Sequence, residues 1–229
     1  MHIPDGYLGP PTSLVTYCIM LPLWAIASKK VKKTLKAKQV PLLAIGAAFS
    51  FVIMMFNIPI PAGTTGHAVG AVLVAILLGP WAATIAVSVA LVIQALMFGD
   101  GGITAIGANC FNMAFVEVFT GYYIYRLLSG SAEATSRKRV VAAGVAGYLA
   151  LNFAALSAAV MFGIQPLLHK TAAGQSLYCP YGLGVAVPIM LGEHLLIFGW
   201  IEAFVTALVV KYLQKQDPSL LGVQNENNQ

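Results

Sequence analysis

Residues 66–98 read GHAVGAVLVAILLGPWAATIAVSVALVIQALMF, and the interpretation of Gly79-Pro80 in the middle of this stretch decides the fold. Either one long tilted helix runs from Gly66 to Phe98, or two helices meet in a tight turn. Glycine followed by proline suits the second choice, because glycine takes the position just past a helix end and proline opens the next helix without needing its missing N–H. Charge supplies an independent criterion. Basic residues fall in three clusters: Lys29 to Lys38, Arg126 with Arg137 to Arg139, and Lys211 with Lys215. Loops rich in Lys and Arg stay on the cytoplasmic side of a membrane. One unbroken helix carries the last two clusters outside, whereas a break at Gly79-Pro80 keeps all three inside and leaves the N-terminus outside.

A membrane criterion applies because of composition. Of 229 residues, 59% are hydrophobic and 9% charged, against roughly 25% charged in soluble domains. The chain is therefore read as an all-α integral membrane protein, a bundle of seven transmembrane helices with the C-terminus cytoplasmic. The predicted spans are Pro11 to Ser28, Pro41 to Phe56, Gly66 to Leu78, Trp81 to Phe98, Cys110 to Leu128, Val140 to Ile164 and Val187 to Lys211. Several fall short of the ~20 residues of a simple bilayer span. Residues 1–215 are expected to form a single transmembrane domain and 216–229 a polar cytoplasmic tail, disordered over GVQNENNQ. The formal charge of +5 fits membrane orientation better than nucleic-acid binding, since the basic residues sit in short loops between apolar runs.

Cys18, Cys110 and Cys179 show no paired-ligand spacing, so neither a zinc site nor a disulfide framework is expected. No basic residue precedes the first apolar run, and Asp5 stands where a signal peptide would be positive. Met1 and His2 are accordingly expected to persist in the mature chain.

The split topology gathers polar segments on the outer side. They are the N-terminal MHIPDG, the loop NIPIPAGTTGH ending at His67, the loop GDGGITAIGAN from Gly99 to Asn109, and a long loop around His169 and Cys179. His67 is expected at the start of a helix capped by Thr64-Thr65. His2 and His67 thus share a face.

A free N-terminus followed by histidine offers three nitrogens to a divalent metal: the Met1 amine, the His2 backbone nitrogen and His2 Nδ1. They close a five- and a six-membered chelate and lie nearly in a plane, because the peptide between them is planar. Such a tetragonal nitrogen field suits Ni(II) or Cu(II) rather than tetrahedral Zn(II). One corner stays open, and His67 is the candidate to fill it. The Ile3-Pro4-Asp5-Gly6 turn would fold the first residues back into the bundle, and Asp5 is a candidate acceptor orienting a ring nitrogen.

Three stretches, MHIPDGYL, GTTGHAVGAVLVAILLGPWAA and IQALMFGDGGITAIGANCFNMA, resemble the CbiM/NikM family, the substrate-binding S components of energy-coupling-factor (ECF) importers for nickel and cobalt. The similarity runs the length of the chain, and its GHxxG, LLGPWAA, FGDGG and GANxFNM elements are specific in combination. It implies a seven-span bundle with an inserted N-terminus, and a metal held by Met1, His2 and His67. It also implies a membrane coupling (T) subunit, cytoplasmic ATPase subunits, often a small additional membrane subunit, and a prokaryotic inner-membrane location. Pro4 and Asp5 depart from the usual cobalt-type start. The planar field favours Ni(II), with Co(II) open.

Gln94, Asp100, Asn109, Asn112 and Glu117 are read mainly as hydrogen-bonding ties between helices and the outer loop, with support of the metal as the alternative. Glu193, His194 and Glu202 are read as structural or coupling residues. The methionines, including Met54, Met55, Met97 and Met113, form no ladder and are read as core filling. No HExxH, GxSxG or GxxxxGK[ST] pattern occurs, so neither proteolysis nor ATP hydrolysis by those routes is expected. The rival class is a self-sufficient secondary transporter or channel for a divalent metal.

Overall fold

The computed structural model describes residues 1–35, 37–60 and 64–221, apart from the Lys38 side chain. The molecule is mainly helical: α1 (Pro10–Thr34), α2 (Val40–Met54), α3 (Ala71–Leu78), α4 (Pro80–Ile93), α5 (Ile106–Asn109), α6 (Val118–Ser129), α7 (Arg137–Gly163), the short α8 (Gln165–Leu168), α9 (Leu183–Glu193) and α10 (Gly199–Gln216). Three π-helical segments interrupt this series without breaking the rods, at Gln94–Phe98, Cys110–Glu117 and His194–Phe198. Four continuous stretches are long and apolar enough to cross a membrane: Pro10–Thr34, Pro80–Phe98, Arg137–Leu168 and Leu183–Gln216. This is a multi-pass helical membrane protein.

Gly79 decides the chain path. Its φ of +84° lies in the region that side-chain-bearing residues avoid, and it serves at once as the C-cap of α3 and the N-cap of α4, with Pro80 at the first helical position. The break read from Gly79-Pro80 is present.

The segment before it differs from expectation. Gly66 to Leu78 is not one helix: Thr64–Gly66 is a strand (β2) paired antiparallel with Ile58–Ile60 (β1), residues 67–70 are irregular, and α3 starts only at Ala71 with Gly70 as its N-cap. Thr64 and Thr65 therefore cap no helix, and His67 lies outside one. At eight residues α3 is about 12 Å long, well short of a bilayer core. Backbone pairing within the hairpin satisfies groups that a helix would otherwise have to satisfy.

One end of the bundle is tied together by basic and polar groups. Gln214 Nε2 donates to the Ala134 and Ser136 carbonyls at 2.7 and 2.9 Å, Arg139 Nη1 reaches the Leu221 carbonyl at 3.4 Å, and Lys30 Nζ lies 4.7 Å from the Trp81 ring centre. Within the expected polar tail, Pro218–Leu221 form a short 3₁₀ helix that buries Leu221. The rest of that tail, GVQNENNQ, lies outside the described residues, as do Lys36 and residues 61–63.

At the opposite end the N-terminal segment enters the bundle at residues 1–3 and again at Leu8 and Gly9, with Asp5 and Gly6 exposed between them. Met1 and Ile3 are fully buried and His2 is 4% exposed, packed in a core of small and branched side chains from α3, α4, α5, α7 and α9. All three cysteines are free.

Candidate metal centre

Insertion of the N-terminus is built from side chains that imitate a strand partner. Asn109, the last residue of α5, accepts from the Ile3 amide at 2.8 Å and donates to the Ile3 carbonyl at 3.2 Å. Gly102 N donates to the same carbonyl at 2.8 Å, and Thr64 Oγ1 donates to the His2 carbonyl at 3.1 Å. Gly102 must be glycine for reasons of space, because a Cβ there would stand 2.4 Å from Asp5 N and 2.6 Å from its carboxylate. The FGDGG element is thus the surface on which the N-terminal segment lies.

Asp5 does not orient a ring nitrogen. Its carboxylate accepts from the Ile103 and Thr104 amides at 3.1 and 2.9 Å and from the Thr104 hydroxyl. These bonds, the Thr104 hydroxyl foremost, hold its pKa below the usual carboxylate range. Further out, Cys179 N donates to Tyr7 O at 3.1 Å and Gly9 N to Gln165 Oε1 at 3.0 Å. The segments around 102–109, 165 and 179 are in this way sewn onto residues 3–9.

Two imidazoles meet at the inner end of this segment. His2 and His67 stack with ring centres 4.5 Å apart and planes 29° from parallel. Their hydrogen bonds define which nitrogen of each is free. Gln94 Nε2 donates to the Phe51 carbonyl at 3.3 Å, which turns Gln94 Oε1 toward His2 Nε2 at 3.2 Å. An amide oxygen can only accept, so His2 Nε2 carries the hydrogen and Nδ1 bears a lone pair. In His67 the roles reverse: Nδ1 faces the Ala68 carbonyl at 3.0 Å and must donate, leaving Nε2 with the lone pair. Both lone-pair atoms, His2 Nδ1 and His67 Nε2, are buried without a hydrogen-bond partner among the described residues.

Burial and the neighbouring carboxylates act in opposite directions at this point. Burial pushes the Met1 amine down to about 5, against the opposing pull of Glu193, Asp100 and Glu117. Burial first and the neighbouring amine second push His2 down to about 3, and the same two causes hold His67 well below its ordinary value. The amine and both rings are thus neutral donors near pH 7. Asp100 Oδ1 stands 3.4 Å from His2 Nδ1 while its other oxygen accepts from Asn57 Nδ2 at 3.0 Å. A carboxylate facing a lone pair is reconciled by positive charge between or beside them.

Of the polar residues noted in sequence, Gln94, Asp100 and Asn109 reach residues 2 and 3 directly, while Glu117 and Glu193 act on the Met1 amine and His194 on His67 through charge. Asn112 instead contacts Met161 Sδ at 3.7 Å, and neither Glu117 oxygen has a hydrogen-bond partner among the described residues. His169 stacks edge-on with Tyr178, away from the paired rings. His194 Nδ1 is engaged by the Met190 carbonyl at 2.8 Å, with Glu193 Oε1 at 3.1 Å. Asn57, Thr64 and the Phe51 carbonyl carry no sequence signal, since their relevance comes only from the approach of distant segments.

A polytopic helical bundle with a buried amine and two stacked imidazoles at one end defines a membrane protein with a candidate metal centre. The chain belongs to the CbiM family, described as the cobalt uptake substrate-specific transmembrane region, which matches residues 2–220. It is 55% identical over 97% of its length to the fused nickel transport protein NikMN of Rhodobacter capsulatus, and 48% identical over 96% to the probable fused nickel transport protein LarMN of Lactiplantibacillus plantarum. It spans only 64% and 66% of those two longer proteins. A solved structure described as a transition metal transporter superposes with a TM-score of 0.90 at 55% identity, covering 95% of this chain and 94% of the other.

Proposed function

We propose that this chain is the substrate-specific (S) component of an ECF-type importer, and that it captures extracellular Ni(II), with Co(II) as the lesser cargo, in a four-nitrogen site. The Met1 amine, the His2 backbone nitrogen, His2 Nδ1 and His67 Nε2 form the donor set. The observation that carries this reading is the pair of stacked imidazoles, each with one nitrogen committed to an acceptor and the other bare and buried. Fixing the far nitrogen is how proteins orient a metal-binding histidine. The names of the two fused relatives support nickel as the cargo.

In this reading seven spans cross a prokaryotic inner membrane, with the N-terminus outside. The three basic clusters support that orientation. Energy comes from cytoplasmic ATPase subunits acting through a membrane coupling (T) subunit, since no phosphate-binding loop is present in the sequence. A small additional membrane subunit completes the assembly.

The test uses the purified full chain with its native first residue. Elemental analysis is expected to find about one nickel per chain, while liposomes containing the chain alone do not concentrate nickel. Concentrative uptake without ATP would instead identify a secondary transporter.

A further inference from the structure

Glu202 lies on α10, far in sequence from the paired imidazoles, and is fully buried. Its Oε2 accepts from the Val69 amide at 2.8 Å and from the Gly70 amide at 2.9 Å, and its Oε1 lies 3.1 Å from the same Gly70 nitrogen. Residues 67–70 belong to neither β2 nor α3, so these amides have no place in a strand ladder or helix. The carboxylate supplies the acceptors that regular structure would have provided.

The peptide unit involved is significant. The Val69 N–H and the Ala68 C=O are two ends of one planar group. Glu202 grips the N–H end at 2.8 Å, and the C=O end holds His67 Nδ1 at 3.0 Å. A negative charge on the N–H polarises the peptide, making its carbonyl a stronger acceptor. That carbonyl fixes the tautomer and direction of the His67 ring, and draws electron density toward Nε2.

We propose that Glu202 is a positioning residue for metal capture, holding His67 in the coordination plane through the Ala68–Val69 peptide. It touches no metal itself. The proposal rests on the reading of His67 Nε2 as a ligand. Glutamine is a poor substitute, because its NH₂ group would face a donating amide where the second carboxylate oxygen now stands.

The test compares wild type, Glu202→Gln, Glu202→Asp, His67→Ala and the double variant His67→Ala/Glu202→Gln, all as intact purified chains. Nickel alone is titrated, with calorimetric affinity and the visible ligand-field absorption as readouts. Glu202→Gln is expected to weaken binding by about tenfold or more, the scale for supporting partners of a metal ligand. Its absorption should move to longer wavelength toward that of His67→Ala, as a weaker donor takes the fourth corner. Glu202→Gln should add little once His67 is gone, since a residue acting through another is not additive with it. Wild-type affinity and spectrum in Glu202→Gln, or an equal loss with and without His67, would overturn the proposal. Should Glu202→Gln not fold, Glu202→Asp carries the test: a shifted band supports the role and an unshifted one overturns it. Failure of the underlying reading looks different, because wild type and His67→Ala would then bind nickel alike.

Discussion

The N-terminal cradle and the polar groups deeper in the bundle treat buried polarity in opposite ways. In the cradle, Ile3, Asp5, Tyr7 and Gly9 are each engaged by hydrogen bonds from loops or helices remote in sequence. Among the described residues, the buried atoms without a partner there include one ring nitrogen from each of the two stacked imidazoles, together with Ser13 Oγ and Thr65 Oγ1. Deeper in, Glu117, Asn112 Oδ1, Asn152 Oδ1 and His194 Nε2 are buried without hydrogen-bond partners among the described residues. An unpaired buried polar group costs about 1–3 kcal/mol, and under the proposed function a bound metal offsets that cost at the ring nitrogens but not at the other atoms. Satisfied surroundings make the cradle rigid. In the proposed function, donors held in this way bind a metal without having to be ordered first.

Adding one glycine before Met1 attacks the cradle at its strongest point and should have the largest effect. It turns the amine into an amide and moves His2 out of chelate register, although every side chain survives. Nickel affinity by calorimetry is expected to fall by about a hundredfold or more, beyond the 10–100-fold typical of supporting residues. The pH dependence sharpens the same point. Sequence chemistry alone suggests an amine protonated near neutrality, but burial lowers it to about 5. Between about pH 6 and 8 the metal therefore displaces about one proton, from the His2 amide, and affinity rises with pH accordingly. Below about pH 5 protons also compete for the amine, and affinity should fall more steeply. A steep, two-proton dependence at pH 7 would show that the amine is exposed rather than inserted.

Substitutions that loosen the cradle without touching a donor come next. Asn109→Ala removes both bonds to Ile3, and Gln94→Leu removes the acceptor that fixes the His2 tautomer. Each is expected to weaken nickel binding by about 10–100-fold, read by titration against a melting curve that confirms folding. Unchanged affinity in both would mean that the N-terminal residues find their geometry without this scaffold.

The smallest effect is expected from the deeper region. Glu117→Gln removes a buried group that makes no hydrogen bond with either oxygen among the described residues. Its melting temperature should be unchanged or higher, since an uncompensated buried carboxyl is replaced by a neutral amide. A clear drop in melting temperature would show that Glu117 is engaged and that the two regions differ less than their hydrogen bonding indicates.

Much of this protein is legible in sequence because the signals are local or compositional. Apolar runs and a shortage of charge require a bilayer, Gly79-Pro80 dictates a break because only glycine tolerates its backbone angle, and the nitrogens that Met1-His2 offers for the proposed chelate follow from covalent connectivity. Nothing further is needed for those conclusions. The hairpin that replaces the start of the third predicted helix was not legible, since its short strands depend on pairing between residues rather than on a periodic pattern. Tertiary structure alone decided that Asp5 serves the 103–104 backbone and that Asp100 faces His2. It alone brought Gln94, Asn109 and Glu202 to act on Met1–Ile3 and on the loop after His67. Those partners lie up to 133 residues apart, and a hydrogen bond needs an approach of about 3 Å, which only the packed bundle sets.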